Sequence, residues 1–414
     1  MKVTFKSPGW LIVLVATFTL AVSNGLAIGG LPPFYKPIRD EFVAIGAVDP
    51  ASAETFIANA ANITFLMSGL FSLIGGWLMN RFRMKRIMIA GCVLLGIGLL
   101  LHSQAATSAT VYLARLLMGA SLGFIGVAPC VVLISRWFES GRGTALGIAL
   151  TGTSIGGTLI PLAAEPLITS YGWRTAMLAI SSLVWLVLLP TIILFVKEAP
   201  SRTENSAVEI PAEGKTLAEA FKMPLFWLFG ACAALVFYPI FVTSQQFILY
   251  LQTPKIGVSA NTAAFAQSAL FAVAIGGKTL AGVLSDRFRS DRVIVGCAAL
   301  MFAATLVLFF LTDRTALLFL LPFALGYGGT FVLLQRLATE LFGRRETGKI
   351  LGAVTLIEVA GAAVGGRITG YLADQNGGDY TYAFYGVTVA AGLAFVATLV
   401  MQQVNRSVRL RERP

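Results

Sequence analysis

The chain is poor in the residues that do chemistry. It has one histidine, His102, and four cysteines, Cys92, Cys130, Cys232 and Cys297, in 414 residues. The cysteines have no metal-ligand or disulfide spacing; each falls inside an apolar run, where a thiol packs as a small hydrophobe. With no clustered metal ligands there is no enzyme constellation to build on, and no cofactor is expected. A Gly-x-x-x-x-Gly-Lys-Ser/Thr loop is also missing, so nothing supports drive by ATP. Charge is scarce too. Only 12% of residues are Asp, Glu, Lys or Arg, against about a quarter in soluble domains.

What fills the chain is apolar. Hydrophobic residues make up 57% and the mean hydropathy is +0.80, more than a soluble fold could hide. Runs of roughly 20 residues recur, each long enough to cross ~30 Å of hydrocarbon as a helix. They do not alternate apolar with polar, which excludes a transmembrane barrel. We count about twelve spans, at 10–32, 55–79, 86–104, 109–136, 144–169, 175–196, 225–251, 259–284, 292–312, 315–340, 347–373 and 381–403. The first is too long for the core of a signal peptide and is read as retained. His102, at the end of a span, reads as interfacial.

The net charge of +11 does not imply nucleic acid, because the basic residues sit in short loops between spans. NRFRMKR (80–86) holds four, DRFRSDR (286–292) three and LFGRRETGK (341–349) three, while the alternate loops are poor in them. That asymmetry predicts cytoplasmic termini. Residues 197–222 are polar, with Pro and Ser, and read as a cytoplasmic linker in which TLAEAF could form a short helix. The linker divides the spans six and six, giving halves 1–196 and 223–414. The halves are related. A shift of 206 residues places Gly76, Leu78, Arg81, Phe82, Arg83 and Arg86 on Gly282, Leu284, Arg287, Phe288, Arg289 and Arg292. Such a repeat points to two homologous halves around a central pathway.

These residues resemble the major facilitator superfamily. Its signature between helices 2 and 3, Gly-x-x-x-Asp-Arg-x-Gly-Arg-Lys/Arg, is matched by Gly76, Arg81 and Lys85, with Asn80 in place of the acid and Arg83 in place of the second Gly. The second copy keeps Gly282, Asp286 and Arg287. RLLMG, Arg115 to Gly119, is similar to the family's Arg-x-x-x-Gly element on helix 4. The resemblance implies an all-α membrane protein with two six-helix halves. It also implies a cytoplasmic gate at Gly76, Asn80, Arg81, Arg115, Gly282, Asp286 and Arg287. More narrowly, LPPFYKPIRDEF (31–42), RWFESGRGTALGIALTGTSIGGTLIPL (136–162) and YGWRTAML (171–178) resemble the monocarboxylate transporters and the bacterial oxalate/formate exchangers. Those families carry a cation on helix 8, eight residues before its terminal polar residue. Lys278 stands there relative to Asp286, where Arg is usual; the exchangers' second cation, on helix 11, is replaced by Glu358.

Lys278 and Glu358 are placed deep in the bilayer. Lys278 lies about 12 Å of helix from Asp286 and Glu358 about 20 Å from Arg345. A charge at that depth costs at least ~2.5–3.5 kcal/mol and persists where it meets a partner, a substrate or a wet cavity. One reading is a buried Lys278–Glu358 pair that only locks two helices. The other is that Lys278 attracts a substrate carboxylate while Glu358 takes part in proton coupling, the two competing for one another. The site sums to about zero, which favours a monoanion over a dianion such as oxalate. Lys in place of Arg weakens bidentate recognition, and Ala274 replaces the Asp that monocarboxylate transporters often carry one turn before the cation. By the resemblance, helices 1, 4, 7 and 10 line the cavity, so Asn24, Tyr238, Gln246 and Tyr327 are candidate substrate contacts. Arg367 reads as interfacial. The expected protein is a monomeric, proton-coupled carrier of small organic anions in an inner membrane. A proton-driven exporter of drugs or amphiphilic metabolites is the alternative, and a transporter-like membrane sensor a third reading.

Overall fold

The helical stretch Arg142–Phe195 is long enough to cross a bilayer twice, and one glycine divides it. Gly172 has φ 77° and ψ 159°, backbone that a side chain would strain, so the chain turns there. Counting that turn, the 11 apolar helical stretches among the described residues become twelve spans. The computed structural model describes residues 9–50, 53–79, 81–138, 141–197, 214–253, 255–310, 312, 315–343, 345–376 and 379–411, nearly all of them helical.

The first half comprises α1 (Gly9–Ala44), α2 (Ala53–Leu78), α3 (Met84–Ser103), α4 (Ser108–Trp137), α5 (142–171) and α6 (173–195). The second comprises α7 (Pro224–Leu251), α8 (Ala260–Arg287), α9 (Ser290–Phe310), α10 (Ala316–Phe342), α11 (Thr347–Gln375) and α12 (Thr381–Arg411). Helices close all their backbone hydrogen bonds internally, which hydrocarbon demands. α1 runs further than the expected 10–32. A π-turn at Gly25–Gly29 ends its first part, and Pro32 and Pro33 open a second helix, Pro32–Ala44, at positions where no N–H is needed.

The halves meet along two seams, α2 against α11 and α5 against α8. The α2–α3, α4–α5, α8–α9 and α10–α11 turns share one end of the bundle, here the basic end. Of the expected linker, 198–213 lie outside the described residues. The rest is pinned to the α10–α11 turn. Lys215 N–H donates to the Phe342 carbonyl at 2.8 Å and Leu217 N–H to Glu346 at 2.8 Å. Thr216 and Glu219 form a capping box that starts the short helix Leu217–Phe221. His102 stands in the last turn of α3, at the end of a span as expected. It is fully buried, its ring centroid 6.1 Å from that of Trp173, because the first half packs around the far end of α3.

Candidate functional site

Lys278 is fully buried at mid-depth on α8. Its ammonium donates to Thr153 Oγ1 and, at 2.8 Å, to Ser154 Oγ, both on α5 of the other half. Thr153 spends its own proton on the Leu150 carbonyl at 3.0 Å, which leaves its oxygen free to accept. Two ring faces on α10 complete the shell, Phe331 at 4.7 Å and Tyr327 at 5.5 Å from the ammonium. A desolvated cation over a ring gains about 2 kcal/mol, and hydroxyls accept from an ammonium without neutralising it. Among the described residues Lys278 has no carboxylate partner, so the Lys278–Glu358 ion pair is not formed in this conformer. Tyr327 serves Lys278 through its ring.

Glu358 has a different neighbour. It is 2% exposed on α11 and accepts from Gln335 Nε2 at 3.1 and 3.4 Å. It borders a cavity of about 90 Å³ that Asn24, Ser72, Phe331, Gln335 and Thr355 also line. That volume has room for several waters. Ser72 Oγ, Thr355 Oγ1 and Gln335 Oε1 are buried there without a hydrogen-bond partner. Phe331 therefore has Lys278 beside its ring and also borders the chamber of Glu358.

A cavity of about 540 Å³ lies further toward the end away from the basic loops. Tyr35, Asn59, Asn62, Gln245, Gln246 and Arg367 supply its polar lining. Phe241 borders this cavity and Phe65 the smaller one. Their rings meet edge to face with centroids 4.5 Å apart, an aromatic floor made by one side chain from each half. Gln246 faces the large cavity, its Nε2 on the Gly366 carbonyl at 3.4 Å. Arg367, expected at the interface, lines the cavity as well. Tyr238 borders neither space; its ring covers Gly365 of α11.

Arg115 corrects a sequence expectation. It is not at the basic end with the other gate residues. α4 starts at Ser108 at the far end, and Arg115 lies only about 10 Å along it. The guanidinium is 1% exposed, 5.5 Å from the centroid of the Tyr35 ring, and its Nε and Nη1 find no hydrogen-bond partner. The Arg-x-x-x-Gly match fixed residue types and said nothing of depth.

Of the other residues expected at a gate, Gly76, Arg81, Gly282, Asp286 and Arg287 lie at the basic end. Asp286 accepts from Gly143 N–H at 3.1 Å, Thr144 N–H at 2.9 Å and Thr144 Oγ1 at 2.6 Å, and pairs with Arg336 at 2.6 Å. It is thus an anion from one half at a helix N-terminus of the other. A Cβ on Gly282 would fall 2.7 Å from the Gly143 carbonyl, and one on Gly76 2.3 Å from that of Gly348. Both seams need glycine for the backbones to touch. Arg81 lies over the Trp77 ring at 4.2 Å; Arg287 is exposed. Asn80 lies outside the described residues. Sequence reasoning missed Thr153, Ser154, Phe331 and Gln335, which carry no charge to betray them.

Comparison with known proteins gives a consistent picture. The sequence profile of the Major Facilitator Superfamily matches residues 13–255 and 245–414. Monocarboxylate transporter 13 of Rattus norvegicus is 27% identical over 94% of this chain and 89% of its own. An agnestins efflux protein of Paecilomyces divaricatus is 24% identical over 94% of this chain and 87% of its own. The crystal structure of a superfamily transporter, FucP, in the outward conformation superposes with a TM-score of 0.69 at 15% identity. It covers 99% of this chain and 100% of that one.

Proposed function

Because the chain belongs to the Major Facilitator Superfamily, we propose that this membrane transporter carries small organic monoanions by alternating access, coupled to protons. The observation that carries this reading is Lys278. Among the described residues its amino group meets two hydroxyls and two ring faces and no carboxylate, and a substrate carboxylate is the natural exchange partner for Thr153 and Ser154. Both hydroxyls belong to the opposite half, so that exchange loosens one seam at mid-depth and links binding to the movement of the halves. Glu358, across Phe331, is the proton site. An anion that neutralises Lys278 makes proton binding at Glu358 more favourable, which is the linkage a symporter needs. The basic loops then face the cytoplasm of an inner membrane, both termini with them, and the conformer described is the outward-facing one. The relative named for monocarboxylate transport supports the choice of anion.

The exporter reading keeps one specific observation, a cavity of about 540 Å³ with a largely apolar wall, together with a relative named for efflux. Uptake in proteoliposomes decides between them. Lys278→Gln should reduce carboxylate uptake about 100-fold or more, the usual cost of removing a buried charged partner. Glu358→Gln should retain exchange and lose accumulation driven by a pH gradient. Undiminished uptake by the first variant removes Lys278 from the site; gradient-driven accumulation by the second removes the proton role.

A further inference from the structure

The larger cavity is oversized for a two- or three-carbon acid. Its volume of about 540 Å³ falls within the roughly 300–1,000 Å³ of sites that bury drug-sized ligands. Its charge is one-sided. Arg367 lines it, no Asp or Glu does, and among the described residues Arg367 has no hydrogen-bond or ion-pair partner. A second cation, Arg115, lies behind Tyr35 with two N–H groups unpartnered. Among the described side chains, Glu41 is engaged with Trp173 and Arg174, and Asp379 with Thr381.

One donor is already aimed. Gln245 is 5% exposed, and Tyr35 Oη donates to its Oε1 at 3.1 Å. That bond fixes the amide and leaves Nε2, which has no partner, as the free donor at the cavity wall. Buried donors left unpaired are costly, and a ligand acceptor removes the cost. The apolar lining comes from the same two helix faces: Phe241 and Leu249 one turn either side of Gln245 on α7, and Val364 and Tyr371 one turn either side of Arg367 on α11.

Resting on the organic-anion reading above, we propose that this cavity is the docking site of a drug-sized carboxylate with an apolar body. Arg367 and Gln245 take its head group, and the apolar wall takes its body before passage to Lys278. Short acids reach Lys278 without this site.

Titration of the purified full-length protein with propionate, 4-phenylbutyrate and the neutral 4-phenylbutyramide tests it. 4-Phenylbutyrate should bind at least about tenfold more tightly than either companion, since body and charge must both be present. Arg367→Gln and Gln245→Leu should each cost it about tenfold and leave propionate unchanged, and Arg367→Lys should recover part of the loss. Arg367 is exposed, so its variants test the head group without disturbing packing; Gln245→Leu also removes the acceptor of Tyr35, and the Arg367 variants decide where the two disagree. Propionate binding as tightly as 4-phenylbutyrate, amide binding as tightly as acid, or indifference to both substitutions overturns the docking site. If propionate uptake then still depends on Lys278, the organic-anion reading survives that failure. If neither acid is bound or carried, both fall.

Discussion

Where the two halves touch at the basic end, both seams pack on glycine, and among the described residues one of them is also tied by charge. On α5/α8, Asp286 gathers two backbone N–H groups, a hydroxyl and Arg336, and Lys278 ties the same two helices at mid-depth. On α2/α11 the contacts are backbone on backbone: Gly76 on Gly348, and Gly352 on Ser72, where an added Cβ would fall 2.5 Å from a carbonyl. The halves share their loop pattern, yet the residue 206 positions before Asp286 is Asn80. The helix starts differ as well. α5 begins after Gly141, which has no side chain to cap its first N–H groups, so the partner half supplies the acid. α11 begins directly after Glu346, an acid of its own. Opening the basic end therefore breaks charge-assisted bonds along one seam and, among the described residues, separates packed backbone along the other.

Removing the acid from the charged seam should have the largest effect. Asp286→Ala leaves two N–H groups and a hydroxyl without their acceptor, while Arg336 keeps Glu340 and Ser285. Hydrogen bonds to charged groups contribute about 1.5–3 kcal/mol each where water is excluded, and here water replaces part of that. A shift of about 1.4 kcal/mol, tenfold in population toward an open basic end, is expected. Spin-label distances across α5 and α8 would report it. An unchanged distribution would mean that glycine packing holds both seams and that the contrast between them has no energetic weight.

The parts of this picture that depend on one stretch of chain were legible in the sequence. Span length and loop charge gave the twelve helices and the six–six division, and the depth of Lys278 and Glu358 follows from counting residues to the nearest loop. Partners across the bundle were not legible. Nothing local says that Thr153 and Ser154 face Lys278, or that Gln335 and not Lys278 meets Glu358, because those contacts depend on how α5, α8, α10 and α11 cross. Arg115 failed for another reason. Its motif specifies residue types, whereas its depth depends on the direction of α4, which the preceding loops set. Tyr35 was hidden by a helix that restarts after Leu31, beyond the apolar run that marked the first span.

Restoring the missing acid sharpens the comparison from the other side. If Asp286 matters because α5 lacks a capping side chain, Asn80→Asp adds little, since Glu346 already stands at the start of α11. A change below about twofold in the open population is expected, the scale of an exposed charge at an occupied helix terminus. A shift as large as that of Asp286→Ala, in the closing direction, would show that the two seams want the same latch and that α2/α11 merely lost it.

The smallest effect expected comes from Glu346 itself, which shares α11 with Glu358. The Lys349 ammonium, and then the Leu217 N–H, hold the Glu346 carboxyl below its ordinary 4.5. A carboxyl lowered in the folded state adds stability that is present above its ordinary value and is lost only as pH falls through the lowered one. Glu346 is therefore ionised throughout pH 5–8, and its tie to the linker cannot change in that window. Glu346→Gln should leave the pH profile of transport between 5 and 8 unaltered, whereas Glu358→Gln should flatten it. Uptake rates of the two variants, measured across that range at a fixed gradient, separate an acid that anchors a turn from one that handles a proton. A profile displaced by Glu346→Gln would move part of the proton response out of the central chamber to the basic end of the same helix.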